Sequence, residues 1–214
     1  MAFLCFMGII TGIREDKKQG KRVSIYVDGR FALAIDLEIA VKEKLRIDTE
    51  LNSERIAELG KQDRVHRCYE TAVRFLGFRP RSESELRDRL ARRGFTADII
   101  DTVITKLAGQ GLINDSSFAH FWTENRETFN PRSRYLTRLE LRKKGVAEDV
   151  INGTVAGLDD EENAYRSALN RVSRLTITDR RELQKKLSDY LRRRGFSYET
   201  VNRTIEKIWQ ERGQ

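Results

Sequence analysis

"LARRGFTADII" (residues 90–100), "LRKKGVAEDVI" (141–151) and "LRRRGFSYETV" (191–201) write one theme three times: leucine, a basic run, glycine, then an amphipathic start. Gly94, Gly145 and Gly195 stand 51 and 50 positions apart, and a regular interval between similar segments marks a repeated structural unit. Leu90, Leu141 and Leu191 precede the glycine by four places, and Ile100, Ile151 and Val201 follow it by six. Ile104, Val155 and Ile205 come ten places after it, and Leu107, Leu158 and Ile208 thirteen. These positions form the i, i+4, i+7 stripe of a helix that buries one face. A basic run before glycine is an ordinary helix ending, because cations favour the negative end of the helix dipole and glycine accepts the left-handed C′ conformation. Thr96 and Ser197 then serve as N-caps with Asp98 and Glu199 in the first turn, while the middle copy offers only Ala147. Each copy therefore reads as helix, glycine turn, helix.

Working outward, the first repeat has helices near 62–76, 83–93 and 97–108, with Ser82 and Glu85 as a capping box and Pro80 just before it. Asp115, Ser116 and Ser117 open the second repeat as a helix start; Pro131 begins its middle helix. An acidic run, "DDEEN" (159–163), opens the third, with helices near 160–175, 179–194 and 198–211 and Asp179 and Glu182 at the middle start. Ahead of the repeats, residues 8–40 read as a small β element in which Asp28-Gly29 joins two alternating apolar runs. Asp36 to Glu50 reads as helical, and "LNSERIAELG" as a short helix capped by Ser53 and stopped by Gly60. The expected fold is mostly α: an elongated, curved array of three tandem three-helix repeats (61–113, 114–158, 159–214) behind a small β-hairpin-containing N-terminal module (1–60).

The formal net charge is +8 over 214 residues. Residues 1–60 hold ten basic and ten acidic side chains, so the whole excess lies on the repeats and points to a polyanion or an acidic protein surface as partner. Cys5 and Cys68 make neither a disulfide framework nor a metal-spaced cluster, which fits a reducing cytoplasm. The apolar opening "MAFLCFMGII" is too short to span a bilayer and reads as the lead-in to a strand, with Met7 as an alternative start. His66 and His120 stand alone within amphipathic helices, and no P-loop, dinucleotide fingerprint, zinc-protease motif or nucleophile elbow is present. No catalytic residue, metal site or cofactor is therefore expected.

Binding remains. Arg134, Arg138 and Arg142 follow one another at i, i+4 and i+8 and share one helix side. The matching positions are Glu83, Arg87 and Ala91 in the first repeat and Gln184, Ser188 and Arg192 in the third. A purely structural requirement would recur in every copy, so this basic ladder is a candidate contact surface. Arg79, Arg81, Arg132 and Arg134 flank the starts of the middle helices, where cations oppose the helix dipole and stability does not explain them. The runs before the glycines, including Lys143 and Lys144, are explained equally well as favourable helix ends. Tyr135, Tyr190 and Tyr198 lie among the cations and fit partial burial better than base stacking.

The segments "RPRSESEL" (79–86), "GLINDSSFA" (111–119) and "RSRYLTRLELRKKGVAEDVI" (132–151) resemble the RecX family of bacterial recombination regulators, and the similarity extends over roughly residues 62–212. Residues 1–60 resemble the β-containing extension of longer members. The resemblance implies a non-enzymatic, monomeric, cytoplasmic modulator of the RecA recombinase in recombination, DNA repair and the SOS response. It would lodge in the groove of the RecA filament on single-stranded DNA and inhibit ATP turnover, strand exchange and filament persistence. Arg79, Arg81, Arg132, Arg134, Arg138, Arg142, Lys143 and Lys144 occupy the family-like basic segments; with Arg87 and Arg192 from the matching ladder positions they are the expected contacts, and double-stranded DNA is a further expected, sequence-nonspecific ligand. The competing readings are a stand-alone DNA-binding helical repeat and a pure protein scaffold.

Overall fold

The computed structural model describes residues 7–15, 21–174 and 179–212. The first elements are strands β1 (Met7–Glu15), β2 (Arg22–Val27) and β3 (Arg30–Asp36), helix α1 (Leu37–Lys42), strand β4 (Glu50–Asn52) and helix α2 (Ser53–Leu76). The sheet order is β3-β2-β1-β4, and every neighbouring pair is antiparallel. Asp28 and Gly29 both take positive φ, 48° and 78°, as a two-residue hairpin turn matched to strand twist requires. Along β2, Val23, Ile25 and Val27 alternate with half-buried residues and join Ile10, Leu33, Ile35, Ile39 and Leu59 in one apolar core.

Two expectations for this region need correction. Only Leu37–Lys42 is helical between Asp36 and Glu50, and the chain then turns into a fourth strand whose partner, β1, lies far away in sequence. Nor does Gly60 stop a helix: α2 runs through it, and its cap comes from Asn52, whose side chain accepts the Arg55 N–H at 2.7 Å. Long-range contacts override the glycine. Leu59 is buried in the sheet core, and Asp63 accepts from Arg22 at 3.0 Å and from the Asp36 amide at 2.9 Å.

Helices α3 (Glu83–Ala91), α4 (Ala97–Gly109), α5 (Asp115–Phe129), α6 (Arg134–Lys143), α7 (Glu148–Val155), α8 (Asp160–Val172), α9 (Arg180–Arg193) and α10 (Tyr198–Arg212) complete the chain. They continue the order of three three-helix domains, α2–α4, α5–α7 and α8–α10. The contacts form two compact units, Met1–Phe75 with Leu90–Lys106 and Leu76–Arg89 with Leu107–Gln214. Every member of the thrice-written stripe is buried, from Leu90, Leu141 and Leu191 at the turns to Leu107, Leu158 and Ile208 at the far ends. The glycines take φ of 87°, 75° and 85°. In each turn the glycine amide bonds three residues back and the next amide five residues back, as in Phe196 N–H to Leu191 at 3.3 Å, which is the double bond of a Schellman ending.

Caps largely follow their side chains. Asp179 accepts from the Glu182 amide at 3.1 Å, Ser197 from Thr200 at 3.1 Å, and Ala147 makes no side-chain cap. Asn114, rather than Asp115 or the serines, caps α5, accepting from Ser117 at 2.9 Å. Pro131 lies ahead of α6, whose cap is Ser133. Cys68 is buried and free, whereas Cys5 lies outside the described residues. No described helix is long and apolar enough to cross a membrane.

Candidate functional site

The basic segments gather at two joints that repeat one another. Pro80-Arg81-Ser82 recurs 51 positions on as Pro131-Arg132-Ser133. Both serines are fully buried, and each caps its helix, accepting from the Glu85 amide at 3.2 Å and from the Leu136 amide at 3.1 Å. Each also reaches forward to a glycine turn. Ser82 Oγ donates to the Lys144 carbonyl at 2.6 Å, and the Ser133 amide donates to the Arg194 carbonyl at 3.0 Å. A second clasp is repeated as well: Asp115 accepts from the Glu83 amide at 2.8 Å, and Asp160 from the Arg134 amide at 2.6 Å. Each carboxylate thus sits at a helix N-terminus, where the dipole and the orphan amides favour it.

Four of the ten expected contact residues, Arg79, Arg87, Arg132 and Lys144, meet carboxylates at these joints. Arg79 makes a two-pronged pair with Glu85 at 3.1 and 3.2 Å, and Glu85 also receives Lys144. Burial alone would raise the Glu85 pKa, but the bonds from Arg79 and Lys144 outweigh it and hold the carboxyl below its ordinary range. Arg81 is half-buried, and burial, followed by the neighbouring Arg79 charge, lowers its pKa. Arg87 pairs with Glu83 at 2.7 Å. Arg132 pairs with Glu140, which also accepts from Trp122 Nε1 at 2.9 Å and Arg126 Nε at 2.7 Å. The cations that oppose a helix dipole at positions 79 and 132 therefore do have a structural use, which one-dimensional spacing could not reveal.

The ladder on α6 is not three equivalent free charges. Arg134 is exposed and donates to the Leu158 carbonyl, while Arg138 is half-buried with its Nε enclosed and without an acceptor. Arg142 pairs with Glu148 at 2.9 Å, but both side chains are about half exposed, so the pair is worth under about 1 kcal/mol and can exchange with another anion. Lys143 and Arg192 are exposed. Tyr135 and Tyr198 are 65% and 76% exposed, contrary to the expected burial, and only Tyr190 is held inside. Sequence reasoning passed over Arg171 and Arg174 and read Arg193 and Arg194 only as part of a basic helix end, yet the fold brings all four beside Tyr190. The signal was available by aligning α5 with α8, but those helices repeat at 45 positions rather than 50.

His66 is not isolated: its Nε2 lies 3.8 Å from both Asp36 and Glu70. Asp36, Glu38 and His66 each bring a donor atom within 4.8 Å of the others, the one such grouping among the described residues that could hold a cation. Asp36 already spends one oxygen on the α1 cap.

Comparison with known proteins agrees with this order of an N-terminal module and three helical domains. Residues 8–52 match the sequence model described as the regulatory protein RecX N-terminal domain. Residues 68–107, 114–154 and 159–205 match the RecX first, second and third three-helix domains. The regulatory protein RecX of Clostridium perfringens (strain SM101 / Type A) is 30% identical over 207 residues, covering 94% of this chain and 97% of that protein. The regulatory protein RecX of Bacillus subtilis (strain 168) is 29% identical over 209 residues, covering 96% and 79%. A crystal structure of regulatory protein RecX superposes with a TM-score of 0.68 at 25% identity, over 94% of this chain and 100% of that one. RecX from Lactobacillus salivarius gives 0.56 at 25% identity, over 69% and 97%.

Proposed function

The chain belongs to the RecX family of regulatory proteins, and on that premise we propose that it regulates the RecA recombinase by binding its filament on single-stranded DNA. Acting in the cytoplasm as a monomer without chemistry of its own, it occupies the filament groove and lowers ATP hydrolysis, strand exchange and filament persistence. The observation that carries this reading is the distribution of cations that no carboxylate claims. The charged groups of Arg134, Lys143 and Arg192 pair with no carboxylate among the described residues, and the Arg142 pair is weak enough to open. A filament groove offers acidic protein and DNA phosphate together, and contacts distributed along tandem domains add through effective concentration. Arg79, Arg87, Arg132 and Lys144 contribute to this surface through their exposed edges while holding the joints.

The test follows single-stranded-DNA-dependent ATP hydrolysis by the cognate RecA as this protein is added, beside a variant with Arg134, Arg138 and Arg142 changed to Ala. Inhibition well below a one-to-one ratio that weakens several-fold in the folded variant supports the proposal. An intact protein in excess at low salt that leaves hydrolysis and filament lifetime unchanged sinks it. DNA binding that persists in that case would favour the stand-alone DNA-binding protein, and RecA binding that is indifferent to salt and DNA would favour the scaffold.

A further inference from the structure

The two joints are built alike, so each serves as a control for the other, and they differ in charge compensation. At the first, Arg126 Nε donates to Glu140 at 2.7 Å, and Lys144 is paired with Glu85. At the second, Arg171 and Arg194 stand in the places of Arg126 and Lys144, 45 and 50 positions on. Tyr190 replaces Glu140 and Leu136 replaces Glu85, so both carboxylates are lost while both cations are kept.

What is left is a cationic cleft of about 220 Å³ between the α5–α6 connection, α8 and α9. Arg171, Arg174 and Arg194 line it, and Arg132 and Arg193 line its extension. Among the described residues no Asp or Glu lines either part, although Arg132 is itself paired with Glu140. Arg171 Nε is enclosed and has no hydrogen-bond acceptor, and its guanidinium lies 5.6 Å from the Tyr190 ring centre. Arg194 is held ready: it donates to Asn130 Oδ1 and to the Pro131 carbonyl, at 3.0 Å for the latter, and stacks over Tyr190 at 4.5 Å. Burial first, and then the charges of Arg126 and Arg194, lower the Arg132 pKa against the pull of Glu140. Buried donors without acceptors are uncommon, and preorganised guanidinium groups suit the forked oxygens of phosphate.

We propose that this cleft is a phosphate-binding site at the junction of the second and third three-helix domains, and that it takes a phosphodiester of a single nucleic-acid strand. Phe129, 77% exposed on the wall of the cleft, offers a neighbouring base a stacking surface, which favours a strand over a free nucleotide. The inference rests on the single-strand contact proposed above, yet it is tested without RecA.

The experiment measures binding of the full chain to a fluorescent oligothymidylate by anisotropy at several salt concentrations, for the parent, Arg171→Gln and Tyr190→Glu. The second variant restores the carboxylate of the first joint. We expect each to weaken binding several-fold, with the slope of log affinity against log salt falling by about 0.7 for one lost phosphate contact. Tyr190→Glu should keep or raise the melting temperature because it gives Arg171 an acceptor. Parent-like affinity and slope in a folded Arg171→Gln overturn the site, whatever the protein does to RecA. Displacement of the oligonucleotide by micromolar ATP overturns the strand assignment, whereas competition by ATP or inorganic phosphate only at many millimolar supports it. Failure of the parent to affect RecA hydrolysis, with binding still lost in Arg171→Gln, would remove the regulatory reading and keep the site.

Discussion

At the scale of the residue, the three glycines share a backbone conformation but not a neighbourhood. A Cβ on Gly94 would meet nothing within 4 Å, whereas on Gly145 it would crowd Ser84, with Oγ at 2.7 Å, and on Gly195 it would lie 2.5 Å from Ser133 Oγ. Gly94→Ala should therefore cost only the left-handed penalty, about 1–2 kcal/mol. Gly145→Ala and Gly195→Ala add overpacking and should cost about 2–4 kcal/mol, as read from urea midpoints. The conformation was legible in the sequence from the basic run and the glycine. The crowding was not, because Ser84 lies 61 positions from Gly145. Glu85 gives a second prediction. Its carboxyl is depressed by Arg79 and Lys144, so its contribution is present above the unfolded pKa near about 4.3 and lost as pH falls through the lower folded value. Glu85→Gln should cost about 2 kcal/mol at neutral pH. Its stability should then converge with that of the parent as pH falls from about 4.3 through the lower folded value in denaturant titrations, and a difference that stays constant on acidification would contradict the assignment.

At the scale of the element, periodicity revealed the helices that carry their own stripe, and failed where a distant partner decides. The stripe after each glycine was readable because Ile100, Ile104 and their counterparts bury one face locally. Strand β4 spans only three residues, too few for a period, and exists because Leu51 pairs with Gly8 of β1 and enters the core. The length of α2 was hidden for the same reason. Its stability comes from Leu59 and Asp63 on either side of the glycine, both anchored to the sheet module. Since Gly60 is helical and a Cβ there would meet only Arg64 Nη1 at 3.5 Å, Gly60→Ala should stabilise the protein by about 0.5–1 kcal/mol. A rise of a few degrees in melting temperature checks this, and a fall would mean that the glycine serves something other than the helix. The cations of the candidate site were legible in the sequence, and their partners were not. Spacing found the cations, but only the fold reveals that Glu85 and Glu140 neutralise one joint and that Tyr190 leaves the other uncovered.

At the scale of the whole molecule, the two repeated joints behave like a plug and a socket. The Gly145 and Gly195 turns are plugs, seated against the serine-capped helix starts at Ser82–Ser84 and Ser133. The first three-helix domain supplies a socket, but its own glycine faces open space. The third supplies a plug, but Leu183 stands where Ser133 stands in the second, buried and with no hydroxyl to offer. Only the middle domain has both fittings, which makes it the interchangeable part. A gene in which residues 114–158 are written twice in tandem should yield a cooperatively folded, longer protein with one more helical triplet, seen as added helical circular dichroism and a single unfolding transition. Duplicating the third domain in the same way should give a tethered, independently melting copy. The chain's length is thus a matter of how many times one cassette is spliced in, and nature could alter the reach of such a protein without inventing a new interface.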